Sequence, residues 1–309
     1  MTTRKSRKKP ASRRRPGGLF VVLVAVAAAV LGFEPIDQAL RRNQNTDLRT
    51  LLTNAVHRLS RNASAATATS TAGQLPEAGL EIPGPLPKDT PQLTLKRRTY
   101  TVSYNTRLNL PNWVAWELNT ERLVERESRT DKFLPDPDLP PSQAVVTKDY
   151  SNSGWDRGHM CPAADNRWDW RAMRESFYMT NICPQHHNLN RGDWKELEDA
   201  CREWAQREGR IYIVCGPILY RGKHRTIGRE HRITVPDAFF KVVLSTTGTP
   251  KAVGFIYKNT AGNRPLDSYV NSVDQVERIT GIDFFPSLPD EVERVVEASY
   301  DLSDWPMGS

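Results

Sequence analysis

A chain of 309 residues, 38% hydrophobic and 26% charged, can bury a substantial core. That excludes a disordered or fibrous class and predicts one catalytic-size domain with appendages. The formal net charge is +7, but residues 1–16, MTTRKSRKKPASRRRP, hold eight basic side chains and no acidic one, so residues 34–309 come to about −1. A near-neutral body excludes capture of a polyanion by the global field, and any phosphate recognition has to come from a local cluster.

Residues 17–33, GGLFVVLVAVAAAVLGF, are uncharged and follow the basic stretch in the n-region to h-region order of an export signal. The run is short of the roughly 20 residues that span a bilayer comfortably, and no small-x-small cleavage site follows it. The expectation for residues 1–33 is an uncleaved signal anchor, with the basic end cytoplasmic and the body on the periplasmic or extracellular side. Secretion after signal cleavage and a basic nuclear or mitochondrial address are the alternatives, with the apolar run arguing against the mitochondrial one. Residues 34–92 begin with helically spaced Leu and Val and continue into a stretch rich in Ala, Thr, Gly and Pro, which reads as a linker or stalk. The catalytic-size domain is expected over residues 93–309.

Within it, alternation over residues 98–104 and 113–118 predicts two strands. A loop rich in Pro and Asp, residues 131–143, leads to WDRGHM at 155–160. Its composition suits a surface turn closed by Gly158. Residues 171–176 read as a short helix and FYMTNICPQ, 177–185, as a short apolar segment. Residues 190–209 are helical, with Trp194, Leu197, Cys201 and Trp204 on one face and Gly209 as the stop. Strands are expected at 210–219, 238–245 and 251–258, and a helix over 268–281. The order predicts an α+β fold with a mainly antiparallel sheet. Cys161, Cys183, Cys201 and Cys215 would form up to two disulfides in an exported protein, or serve as small buried hydrophobes.

Three patches carry chemistry: D-R-G-H at 156–159, N-I-C-P-Q at 181–185, and L-N-R-G-D-W-K-E-L-E at 189–198. A histidine can take a proton near neutral pH and an arginine can grip a phosphate with two prongs. In their order and separation the patches resemble the DNA/RNA non-specific endonuclease family, the ββα-metal (His-Me finger) nucleases. The resemblance covers roughly residues 95–290, including GPILY and TGIDFFPSLP. It implies a ββα-metal core and a hydrolase that cuts phosphodiester bonds of DNA and RNA with little sequence specificity.

Carried over residue by residue, the resemblance implies that His159 is the general base and that Asn190 is the direct protein ligand of one Mg²⁺, with Mn²⁺ as a substitute. Such a sparse, oxygen-only site suits magnesium, which keeps several waters. Glu198, eight positions after Asn190, is expected to reach metal-bound water only, because eight residues of one ideal helix rise about 12 Å. Arg157 is expected to bind or organise the substrate phosphate, Asn181 to shape the site by hydrogen bonding, and Arg129 to match an upstream phosphate-binding arginine. Asp156 reads as a structural tether. A zinc site built from Cys161, Cys183, His186 and His187 lacks the paired spacing such sites use. Trp155, Trp168 and Trp170 are candidates for base stacking, with core or rim packing as the alternative. Two other functions stay open: a phosphodiesterase acting on nucleotides or other small phosphodiesters, and a surface nucleic-acid-binding protein without turnover. A homodimer is among the assemblies allowed.

Overall fold

A computed structural model describes residues 75–76, 78–220 and 222–306. The expected signal anchor and most of the expected stalk lie outside the described residues. Among those described, no helix is long and apolar enough to cross a membrane.

The strands are β1 (Leu93–Lys96), β2 (Tyr100–Asn105), β3 (Leu110–Asn119), β4 (Asp156–His159), β5 (Ile182–Gln185), β6 (Arg210–Ile218), β7 (Thr226–Ile227), β8 (Ile233–Thr234), β9 (Ala238–Ser245), β10 (Lys251–Lys258) and β11 (Val270–Asn271). The helices are α1 (Trp170–Ser176), α2 (His187–Arg191), α3 (Asp193–Glu208), α4 (Val273–Thr280) and α5 (Asp290–Ala298). Seven strands form one sheet in the order β1-β2-β3-β6-β9-β10-β11, antiparallel throughout. The mixed architecture and antiparallel sheet match the sequence expectation.

The sheet is buried on both faces, because its central strands are apolar at successive positions: all eight residues of β9 are buried. Alternation then divides them between two cores. Phe239, Val243, Ile213, Cys215, Val114 and Trp116 face one core, which also receives Trp194, Leu197, Cys201 and Trp204 of α3. Phe240, Val242, Val214 and Ala115 face the other, which receives Val273 and Val276 of α4 and Val296 of α5. Leu80 and Leu86 are buried in this second core. Packed structure therefore starts before residue 93, inside the stretch whose Pro-rich composition reads as a linker.

Residues 120–209, between neighbouring strands β3 and β6, carry a separate unit. In it β4 and β5 pair antiparallel, Arg157 opposite Pro184 and His159 opposite Ile182. Helices α2 and α3 follow β5 directly. D-R-G-H is thus a strand rather than a turn. Gly158 serves the pairing: a Cβ there would lie 2.1 Å from Gln185 Oε1. The room it provides is for β5, not for a ligand. The long helix expected after residue 190 is broken at Gly192, whose added Cβ would sit 2.7 Å from the Asn188 carbonyl oxygen. The helix expected over 268–281 is confined to α4, since residues 270–271 pair with β10 instead. All four cysteines are unpaired and buried, which favours the small-hydrophobe reading.

Candidate active site

The unit formed by β4, β5, α2 and α3 borders a cavity of about 560 Å³. Its lining includes Arg129, Arg157, His159, Asn190, Lys195, Glu198 and Arg202, with Phe133 and Trp155 among the apolar walls. Five of the sequence-predicted site residues therefore converge: His159, Arg157, Asn190, Glu198 and Arg129. Asn181 does not join them.

His159 ends β4, 9% exposed. Its ring lies 4.8 Å edge-on from Phe177 and 5.3 Å from Phe133. Trp194 Nε1 of α3 donates to its backbone oxygen at 3.2 Å, tying the end of the strand to the helix. Burial first, then the positive charges of Arg129 and Arg157, lower its pKa to about 3. The imidazole is consequently neutral at pH 7 and able to accept a proton, and its buried Nε2 has no hydrogen-bond partner.

Asn190 sits on the short helix α2, where its Nδ2 donates to Asp156 Oδ2 at 3.0 Å. An ionised carboxylate only accepts, so this bond determines which way the amide faces. Asp156 is ionised: burial raises its pKa, but hydrogen bonds from Asn190 and His187 together with the charge of Arg191 bring it below the usual carboxylate range. His187 Nδ1 lies 3.1 Å from the same carboxylate. Asn190 Oδ1 is left as a free acceptor. Asp156 is thus a tether with a specific task, orienting the Asn190 amide, which sequence spacing does not reveal.

Glu198, on α3, lines the same cavity. Because the chain breaks at Gly192, Asn190 and Glu198 do not share one helix, and the 12 Å rise argument used to separate them does not apply. Burial, partly offset by Lys241 and Arg202, raises the Glu198 pKa to about 7. Lys241 is fully buried on β9, its Nζ 4.4 Å from the Trp194 ring and 5.7 Å from that of Trp116, without a hydrogen-bond acceptor. Burial opposes its charge, while nearby thiols and the Glu198 and Asp165 carboxylates hold its pKa above the usual lysine value. A lysine within the apolar run AFFKVVLS is the one signal that could have found this residue.

Arg157 and Arg129 are both exposed. Arg157 stacks over Phe133, 4.3 Å from the ring centroid, and forms no ion pair among the described residues. Arg129 lies over Phe177 at 5.9 Å and has Asp131 at 3.6 Å. Their guanidinium groups are aimed over the aromatic walls of His159 and are open to an anion. Lys195 and Arg202, by contrast, are committed to carboxylates: Lys195 to Asp199 at 2.5 Å, Arg202 to Asp165 at 3.0 Å.

Asn181 is buried behind β4, where all its side-chain bonds are internal. Its Nδ2 donates to the carbonyls of Cys161 and Ser176 at 2.8 Å each, and its Oδ1 accepts from Cys161 N at 2.9 Å. It holds the chain leaving His159 in place and is out of reach of a substrate. Asn181 is therefore a positioning residue that acts through hydrogen bonds, not a group that touches substrate. The zinc reading also falls away: Cys161 and Cys183 are buried in the core, His187 is engaged with Asp156, and His186 Nδ1 caps α2 by accepting from Asn188 N at 3.2 Å. Trp155 lines the cavity, Trp168 lies under Arg98 and Arg122, and Trp170 is exposed.

A His-bearing strand, its antiparallel partner and two successive helices, one bearing Asn190 and the other Glu198, form the arrangement that the three sequence patches imply. Residues 83–291 match the family described as DNA/RNA non-specific endonuclease. The chain belongs to this family. A human protein, mitochondrial nuclease EXOG, is 35% identical over an alignment of 211 residues that covers 62% of this chain and 57% of the human one. A nuclease of Nostoc is 36% identical over 217 residues, 66% of this chain and 77% of its own length. This chain thus spans little more than half of the human relative. A crystal structure of the EndoG/EndoGI complex, concerned with EndoG inhibition, matches with a TM-score of 0.60 at 25% identity, covering 63% of this chain and 86% of that one.

Proposed function

We propose that this chain is a divalent-metal-dependent endonuclease that hydrolyses phosphodiester bonds in DNA and RNA with little sequence specificity. One observation carries the reading. A neutral histidine with an unpartnered Nε2 shares a cavity with a free, fixed amide oxygen at Asn190, under two arginines open to an anion.

The donor set fits a hard cation. Asn190 and Glu198 offer oxygen donors to the cavity, no cysteine lines it, and Asp156 prevents the Asn190 amide from turning its NH₂ inward. Asn190 Oδ1 would hold Mg²⁺ directly, with Mn²⁺ as a substitute, and Glu198 would reach it through water. When bound, such an ion supplies neutralisation of the phosphate and of the departing oxygen. His159 Nε2 accepts the proton of the attacking water, since the imidazole is unprotonated at neutral pH. A phosphate anion entering beside it raises the affinity of that nitrogen for the proton and so strengthens the base. Arg157 and Arg129 draw the scissile phosphate against the Phe133 and Phe177 walls and offset its charge. The Phe walls exclude competing water from the imidazole.

The test is cleavage of supercoiled plasmid, single-stranded DNA and RNA by the full chain, with Mg²⁺ or with EDTA, beside His159→Ala. Metal-dependent cutting of all three that disappears in the variant is the expected result. A folded wild type that leaves all three intact would overturn the proposal. Export with a tether through residues 17–33 is the accompanying proposal, supported by the order of basic and apolar segments. It predicts that protein recovered from the outer side of the membrane begins at Met1.

A further inference from the structure

On the far side of the sheet from the cavity, α4 and α5 lie against each other and bury Val273, Val276 and Val296 in the second core. At their outer junction Asp274 and Glu277 of α4 meet Glu297 of α5, each presenting a carboxylate oxygen within 4.8 Å of the others. Glu293 lies one turn before Glu297 on α5, and Asp283 lies in the connection between the helices. No basic side chain forms an ion pair with any of these five among the described residues, and Arg278 alone offsets Glu277 at a distance.

Glu297 is an independent pointer. It is only 6% exposed, and its Oε1 has no hydrogen-bond partner. Burying a carboxylate against like charges is costly, and such a group binds either a proton or a cation. Burial, followed by Glu277, Glu293, Asp274 and Asp283, pushes the Glu297 pKa up to about 9. Glu277 keeps one oxygen occupied, accepting from Phe284 N at 2.8 Å, and has the other to offer.

We propose that Asp274, Glu277 and Glu297 form a second divalent-cation site, structural rather than catalytic, which takes Ca²⁺ and clamps α5 onto α4. The set is all carboxylate and includes no fixed octahedral frame, which favours Ca²⁺ over Mg²⁺. Binding would offset the repulsion among the three carboxylates. The site is separated from Asn190 by the whole sheet and does not depend on the nuclease reading.

Thermal unfolding of the full chain, stripped with EDTA and titrated with CaCl₂, tests the proposal. Wild type is expected to show a saturable rise in Tm, about 5–10 °C at a hundred times the dissociation constant. Asn190→Ala keeps that rise, because it leaves this site intact. Glu297→Gln keeps the size of the side chain and removes its carboxylate, so its Tm in EDTA stays near that of wild type while the calcium response disappears. Asp274→Asn, at a half-buried position, gives the same loss of response and decides the matter if Glu297→Gln does not fold. A wild-type Tm indifferent to Ca²⁺, a full response in the variant that folds, or loss of response in Asn190→Ala would each overturn the site. An equal rise with Mg²⁺ would overturn its assignment to calcium.

Discussion

The two faces of the seven-stranded sheet are built from the same strands and differ in what they bury. Under α3 the sheet buries Lys241, and the unit packed there buries Asp165, Asn166, Asn181 and His159. Under α4 and α5 it buries Phe240, Val242, Leu244 and Ala252, with Phe284 and Leu288 above them. The α3 side therefore sustains desolvated polar groups that cost stability, offset by apolar contact in both cores, and Glu297 is their counterpart beside α4. Fields around Glu198 and His159 are set by groups a water-filled site would screen.

That contrast can be broken most strongly at His159. His159→Ala is expected to lower kcat by about 10²–10⁴-fold, the range for loss of a general base, while circular dichroism remains native. Near-normal turnover on plasmid DNA would remove His159 from the mechanism. The opposite face should behave in the opposite way. Phe284→Ala, at a fully buried ring 5.4 Å from Phe240, is expected to cost about 3–5 kcal/mol in urea unfolding with kcat for the folded fraction unchanged. A large loss of kcat there would show that the faces are not separable.

Asp156→Asn sharpens the comparison inside the site. The new amide can offer an NH₂ to Asn190 and leaves its orientation undecided, so activity should fall about 10–100-fold, with a higher Mg²⁺ concentration needed for half-maximal rate. Retention of the wild-type metal dependence would deny Asp156 its orienting task.

Glu198 provides the pH test. Its pKa is raised from 4.5 to about 7. The folded state thus binds this proton more tightly than the unfolded one, and stability falls as pH rises from about 4.5 through 7. Glu198→Gln removes that loss and should be more stable than wild type at pH 8 by about 1–3 kcal/mol, a few degrees in Tm, with no advantage at pH 4. It should also abolish the rising limb of kcat/KM near pH 7. His159, unprotonated down to about pH 3, does not produce that limb. The smallest effect is expected for Lys241→Met: removing the buried charge moves the Glu198 pKa further up, so the rate falls about 3–10-fold at pH 7 and recovers at pH 9. A pH-independent loss would assign Lys241 to packing alone.

The pattern of apolar residues was enough to place β2, β3, β6, β9 and β10 and the buried stripe of α3, since these segments are long and their periodicity is set by contact with one continuous core. The motif spacing was likewise enough to pick out His159, Asn190, Glu198 and Arg157, four residues that line one cavity. Short elements were less legible. D-R-G-H has the composition of a turn, and it becomes a strand only because Ile182–Gln185 pairs with it across an intervening helix. The break at Gly192 is a matter of one carbonyl lying where a Cβ would stand. Leu80 and Leu86 read as linker residues because their Pro-rich surroundings lack periodicity, and only the second core gives them a place.

From sequence alone came the family, the α+β class and the residues proposed here as proton acceptor and metal ligand, His159 and Asn190, all local signals carried by residue type and spacing. Tertiary structure alone decided that Asp156 turns the Asn190 amide, that Asn181 acts from behind the strand, that Lys241 sits beneath Glu198, and that three carboxylates from α4 and α5 converge. These are long-range juxtapositions. Each depends on where the chain returns after tens of residues, and electrostatic effects follow distance in space rather than separation along the chain.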